Sequence, residues 1–191
     1  MGEHTIPHTA FYYIRHGETH WNKENRLQGQ KDIPLNETGV QQATDVAEQI
    51  ISYPITTIVA SPLQRARMTA EIISAAMGKP VVVIDELKEV TWGDFEGSLK
   101  DENSEIWQHA WRQGKIFGNI EPYHDFVARV AVGVQRALLY EGPVLIVAHA
   151  VVHVAVQQIL SMNYLYLENC ATALHTPPYE QNGTWNMKIL H

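Results

Sequence analysis

Short runs of β-branched and aromatic residues alternate along this chain with longer segments of helical periodicity. That alternation points to an α/β fold around a largely parallel sheet. The first run, Phe11 to Ile14, stops abruptly at Arg15-His16-Gly17. The second, residues 56–60, leads through Ser61-Pro62 into a helix with Ala66, Ala70, Ile73 and Met77 at helical spacing. Residues 81–84 are continuous Val and Ile, the pattern of a strand covered on both faces. Residues 144–148 end in His149, the second histidine at a strand C-terminus, and an apolar helical segment follows to residue 160. Asn36 caps a helix to about residue 52 with Ala43, Val46, Ala47 and Ile50 on its apolar face. Pro122 opens another to about residue 140, with Phe126, Val130, Val134 and Leu138 near helical spacing. A polar helical stretch anchored by Trp107, Trp111 and Phe117 reads as ending near Gly118-Asn119. Residues 17–36 and 85–97 read as irregular, and residues 167–176 and 184–190 as two late strands, separated by Pro177-Pro178 and Asn182-Gly183. The expected architecture is a three-layer α/β/α sandwich with a mostly parallel central sheet, one domain over residues 1–191, with residues 98–122 a helical lid or insert.

Composition narrows the partners. The chain has 191 residues, and a formal charge of −7 argues against general nucleic-acid or anionic-membrane binding, which needs a basic face. Any anion site must then be a local cationic pocket in an acidic molecule. Cys170 is the only cysteine, so no internal disulfide and no multi-cysteine metal site is expected. Residues 1–10 lack a basic-then-apolar signal pattern. The longest apolar run, residues 143–156, carries two histidines and is too short to span a bilayer. A cytoplasmic domain of enzyme size is the expectation, with no reading of its oligomeric state.

In a parallel sheet every βα junction ends on the same edge, where open α/β sheets bind ligands. Arg15-His16, residues 61–65 and His149 can therefore meet, and the loop holding Glu89 can reach the same edge. Two arginines bind phosphoryl oxygens with forked geometry. An imidazole nitrogen of His16 can attack phosphorus in line to give a phosphohistidine, with His149 holding or charge-stabilising an equatorial oxygen. Glu89 can protonate the leaving oxygen and later take a proton from water, although spacing alone does not choose it over Glu86, Asp94 or Glu96. Phosphate-monoester hydrolysis is among the slowest uncatalysed reactions, and positioning with positive charge accelerates it.

These blocks resemble the histidine phosphatase superfamily, the phosphoglycerate mutase-like proteins. Arg15-His16-Gly17-Glu18-Thr19 with Trp21-Asn22 is similar to the family's nucleophile motif, and Leu35-Asn36-Glu37-Thr38-Gly39 to its next block. Ser61-Pro62-Leu63-Gln64-Arg65-Ala66 resembles the second-arginine block, and Leu87-Lys88-Glu89 with Gly93-Asp94-Phe95-Glu96-Gly97 the general-acid block. The strand ending in His149 and the run from Cys170 to Leu174 complete the order. The resemblance implies His16 as nucleophile, Glu89 as proton donor, and Arg15, Arg65 and His149 as phosphate ligands. Asn22, Gln28, Gly29 and Ala150 are expected to contact the phosphorylated substrate. No metal or organic cofactor is implied. Two positions depart from the family pattern. Ala150 stands where Gly usually follows the second histidine, and Ile120-Glu121-Pro122 stands where many relatives have Gly-Glu-Ser.

The resemblance points to the phosphatase branch: a metal-independent phosphomonoesterase for a small phosphorylated metabolite. A cofactor-dependent phosphoglycerate mutase and a catalytically silent phospholigand-binding protein are the alternatives. The short stretch between Gly97 and Pro122 favours water as acceptor over a mutase. His149 and His153 have a metal-ligand spacing, but no zincin Glu lies between them and no third ligand is evident, so His153 reads as a packed histidine. His4, His8, His20, His109, His124, His175 and His191 read as surface residues, with His20 able to line the entrance. Specificity is expected in residues 28–33 and 92–123.

Overall fold

In this computed structural model, which describes residues 6–180 and 183–191, one mixed sheet organises the chain. In chain order the elements are β1 (Phe11–Arg15), α1 (His20–Lys23), α2 (Glu37–Ile50), β2 (Thr57–Ala60), α3 (Gln64–Met77) and β3 (Val81–Val83). Then follow α4 (Glu102–Arg112), α5 (Tyr123–Ala137), β4 (Val144–Ala148), α6 (Ala150–Ile159), β5 (Thr172–Thr176) and β6 (Asn186–Ile189). The sheet order is β3-β2-β4-β1-β5-β6. The first four strands run parallel, and β5 and β6 are antiparallel to their neighbours. His4 and Asn182 lie outside the described residues.

Strand alternation produces the three expected layers. Phe11, Tyr13, Val59, Ile146 and Ala148 face one core with Phe126, Val130 and Val134 of α5 and Val152, Ala155 and Val156 of α6. Tyr12, Ile14, Ile58, Ala60, Leu145 and Val147 face the other with α2 and α3. Burying each large apolar side chain contributes roughly 1.5–3 kcal/mol before chain entropy is counted. Asn36 caps α2 by accepting from the Gly39 N–H at 2.8 Å, and Ala43, Val46, Ala47 and Ile50 form its buried face. Among the described residues no helix is long and apolar enough to cross a membrane.

The structure departs from the sequence reading in several places. β3 is an edge strand: Val82 and Val81 are only partly buried against the two cores and Val83 is 46% exposed, so its run of Val is incompletely covered. A β-branched run identifies a strand but not its rank in the sheet. α1 lies inside the stretch read as irregular, started by a reciprocal cap in which the Thr19 hydroxyl accepts from the Asn22 N–H and Asn22 Oδ1 from the Thr19 N–H. α4 stops at Arg112 rather than near residue 118, and Phe117 lies beyond its end. Thr172, not residue 167, begins β5. His175, read as a surface residue, is fully buried, because β5 pairs with the buried β1 and stacks its imidazole on Phe11.

Register sets the functional edge. Arg15 pairs with Ala148 and Ala60 with Val147, so the residues that follow, His16, Ser61 and His149, emerge side by side.

Candidate active site

His16 is held by hydrogen bonds from both its backbone and its ring. Its backbone N–H donates to Ala148 O at 3.0 Å, and Asn169 Nδ2 donates to its carbonyl at 2.8 Å. Nδ1 lies 2.7 Å from the Gly17 carbonyl, which can only accept, so Nδ1 carries the proton and Nε2 keeps its lone pair. Arg65 Nε donates to that Nε2 at 3.2 Å. Burial, then Arg65 and Arg15, hold the imidazole pKa well below its ordinary value. The turn after it depends on glycine: a Cβ on Gly17 would lie 2.5 Å from Gly39 O, at the N-terminus of α2.

The two arginines arrive from different elements. Arg15 ends β1, and its Nη1 donates to Tyr166 Oη at 2.6 Å and to Leu167 O at 2.9 Å, leaving its buried Nε without a partner. Arg65, 1% exposed, sits in the first turn of α3, whose Gln64 N–H is capped from outside by Asp32 at 2.6 Å. Its Nη1 and Nη2 donate to Lys31 O and Gly29 O at 3.0 and 2.8 Å. Burial lowers its pKa to about 10. Buried polar atoms are almost always paired in folded proteins. The buried Arg15 Nε, on a residue of the cleft lining, is left as a donor without a partner among the described residues.

Glu89 is buried, and its carboxylate accepts from the Val90 and Val151 N–H groups, each at 3.1 Å, the latter in the first turn of α6. Burial nonetheless dominates and raises its pKa, with the Val151 hydrogen bond and Arg65 opposing. The loop carrying Glu89 is braced by Arg129 of α5, which donates to the carbonyls of Glu86 (2.8 Å), Lys88 (2.9 Å) and Glu89 (3.4 Å). Arg129 is itself gripped bidentately by Glu121, at 2.8 and 2.7 Å.

His149 lies beside His16, with 5.2 Å between ring centroids, but it is fully buried and does not form part of the cleft wall. Its Nε2 is 2.7 Å from Ser61 Oγ, and its Nδ1 has no partner. The residue after it, Ala150, opens α6 and is absent from the positive-φ positions, so its methyl group is accommodated without backbone strain.

The cleft above His16 encloses about 400 Å³. Arg15, His16, Asn22, Gln28, Gly29, Arg65, Glu89 and Ala150 all line it, so of the expected site residues only His149 does not. Asn22 spends its Oδ1 on the Thr19 cap, so its NH₂ end remains to donate. His20 is exposed and outside the lining, and Trp111 is buried against Glu121 O rather than in the cleft. Sequence reasoning missed Arg26, Tyr164 and Tyr166 on the walls, and from residues 92–123, where it expected specificity without naming side chains, Lys100 and Arg112 reach them. Cations on the wall thus number five (Arg15, Arg26, Arg65, Lys100, Arg112) against two carboxylates (Glu89, Glu105), in a chain of charge −7. No motif surrounds Arg26, Lys100, Arg112, Tyr164 and Tyr166, which come from the loop after α1, the chain entering α4, its last turn and the loop after α6. Among the described residues no group of three His, Cys, Asp or Glu side chains is placed to hold a metal ion.

Comparison with known proteins identifies the same architecture. The family model of the histidine phosphatase superfamily (branch 1) matches residues 11–176. Over 154 residues the chain is 37% identical to the uncharacterized phosphatase PhoE of Bacillus subtilis (strain 168), covering 79% of this chain and 77% of that protein. Over 131 residues it is 42% identical to the probable phosphoglycerate mutase GpmB of Enterobacter sp. (strain 638), covering 66% of this chain and 60% of the mutase. A mycobacterial glucosyl-3-phosphoglycerate phosphatase solved with VO3 superposes with a TM-score of 0.80 at 26% identity, covering 95% of this chain and 98% of that one.

Proposed function

The chain belongs to the histidine phosphatase superfamily (branch 1), and on that premise we propose that it hydrolyses a small phosphomonoester through a phosphohistidine on His16. The observation that carries this reading is the tautomer of His16: with Nδ1 committed to the Gly17 carbonyl, the lone pair is on Nε2, where it accepts from Arg65 Nε until attack on phosphorus replaces that hydrogen bond.

In this reading Nε2 attacks phosphorus and the ester P–O bond breaks. The leaving alkoxide takes the proton of Glu89, whose raised pKa keeps it protonated further into the neutral range than an exposed carboxyl. Arg15, Arg65 and the Asn22 amide bind the equatorial oxygens as charge develops, so arginine supplies what a metal supplies elsewhere. The Glu89 carboxylate then takes a proton from water, whose oxygen attacks the phosphohistidine. The N–P bond breaks, and inorganic phosphate and neutral His16 are restored. His149 acts from behind His16, held by Ser61. Residues 98–122, from which α4 contributes one wall, serve as the cover of the site.

The test is phosphate release across a panel of phosphomonoesters, wild type beside His16→Ala, with chelator present. Release that disappears in the variant and survives chelator is the expected result. Likeness to GpmB supports a second reading, transfer of the phosphoryl group between hydroxyls of phosphoglycerates, and interconversion without net phosphate release would favour it.

A further inference from the structure

The loop of residues 160–171, between α6 and β5, frames the nucleophile. Tyr166 Oη and the Leu167 carbonyl accept from Arg15, Asn169 Nδ2 donates to the His16 carbonyl, and the Cys170 N–H donates to the Arg15 carbonyl at 2.9 Å. Tyr164, Leu165 and Tyr166 at its centre are 63%, 44% and 45% exposed, so burial does little to hold this part in place. Besides Arg15 on Tyr166, the side chain that holds it is Gln157. Gln157 of α6, 1% exposed, meets Leu165 at both ends of its amide: Oε1 accepts from the Leu165 N–H at 2.5 Å, and Nε2 donates to the Leu165 carbonyl at 2.9 Å.

Those two bonds fix which end of the amide is nitrogen, and that determines the protons behind it. Gln157 Nε2 must donate to His153 Nδ1, 2.9 Å away, so His153 carries its hydrogen on Nε2. His153 Nε2–H therefore donates to His175 Nε2 at 3.2 Å, and His175 carries its hydrogen on Nδ1. That Nδ1 is buried without a partner, a cost the fold sustains. The rings are wedged in place, His153 against Tyr13 at 4.7 Å and His175 stacked on Phe11 at 4.6 Å. Burial lowers their pKa values to about 3 and about 4, so both stay neutral near pH 7.

We propose that Gln157 is a positioning residue for Arg15: it pins the 160–171 loop at Leu165, and the His153–His175 pair holds its amide in the orientation that does so. The kinetic consequence rests on the phosphatase reading, whereas the hydrogen-bond string does not.

The test begins with the wild type. Nitrogen-15 spectra of the imidazoles are expected to show His153 protonated at Nε2 and His175 at Nδ1; His153 protonated at Nδ1 overturns the proposal, whatever any variant does. Gln157→Met, similar in size but without the amide, is then compared with Val156→Ala, which trims a buried apolar side chain of the same helix and removes no side-chain hydrogen bond. Loss of positioning is expected to lower kcat/KM on p-nitrophenyl phosphate about 10- to 100-fold and to weaken inorganic phosphate binding in the Gln157 variant. The Val156 variant loses stability but keeps phosphate affinity. Wild-type phosphate affinity in Gln157→Met, or equal losses in both variants, contradicts the proposal. If the wild type hydrolyses no ester, the functional reading fails, and the spectra and phosphate binding still decide this one.

Discussion

Glu89 and His16 have pKa values displaced in opposite directions, and catalysis in the proposed cycle uses both displacements. The rate requires neutral His16 and protonated Glu89. The depressed His16 pKa carries the acid limb of the pH profile below that of an ordinary imidazole, and the raised Glu89 pKa carries the basic limb upward. Glu89→Gln is expected to abolish the basic limb and lower kcat/KM, which reports formation of the phosphohistidine and not its hydrolysis, on alkyl phosphates by about 10²–10⁴-fold. The loss should be smaller on p-nitrophenyl phosphate, whose leaving group needs no proton; equal losses on both substrates would argue against an acid role. Lys100 makes a second residue-scale case. It lines the cleft with no ion pair among the described residues, and its charge contributes to lowering the His16 pKa. Lys100→Ala is expected to raise KM by about 10-fold or more, the worth of a charged contact to phosphate, and to move the acid limb to higher pH. An unchanged KM in steady-state kinetics would remove Lys100 from the site.

At the scale of elements, the proposed nucleophile, His16, is placed by close backbone contact between the turn after β1 and the first turn of α2. A Cβ on Gly39 would fall 2.1 Å from Glu18 O. Gly39→Ala is therefore expected to cost about 1–3 kcal/mol of stability and to displace the Gly17-Glu18 turn. Thermal unfolding and kcat/KM should fall together; a variant matching wild type in both would show the contact to be loose. Much of this level was legible in the sequence. The cap at Asn36, the helical face from Ala43 to Ile50 and the strand ends at Arg15 and His149 each carry a local chemical signal. What was not legible depends on tertiary placement. β3 looks like a central strand because its Val run does not encode which neighbours it has. α1 hides in the Thr19–Asn22 cap within a polar stretch. Tyr164, Tyr166 and Arg112 reach the cleft only because the 160–171 loop and α4 fold over it, and nothing at those positions resembles a motif.

Across the whole molecule, an acidic chain concentrates cations in one cleft at the C-terminal edge of its parallel strands, while an uncharged histidine pair lies buried behind it. For His153 and His175 the folded pKa values, about 3 and about 4, lie below that of an exposed histidine, so the unfolded chain binds more protons over the interval between them. Their contribution to stability is complete above the unfolded value and is lost as pH falls from about 6.5 toward 4 and below. Urea midpoints between about pH 4 and 8 should show a shallower acid decline in His175→Gln than in wild type; parallel curves would mean the pair does not govern it. The central claim is the covalent step on His16. Rapid acid-free quenching of the wild type during turnover, followed by mass mapping, tests it most directly. An added phosphoryl group is expected on the peptide containing His16, absent from His16→Ala and accumulating when Glu89→Gln slows its hydrolysis. Turnover by the wild type with no phosphoryl group on His16, or with the group on another residue, would contradict it.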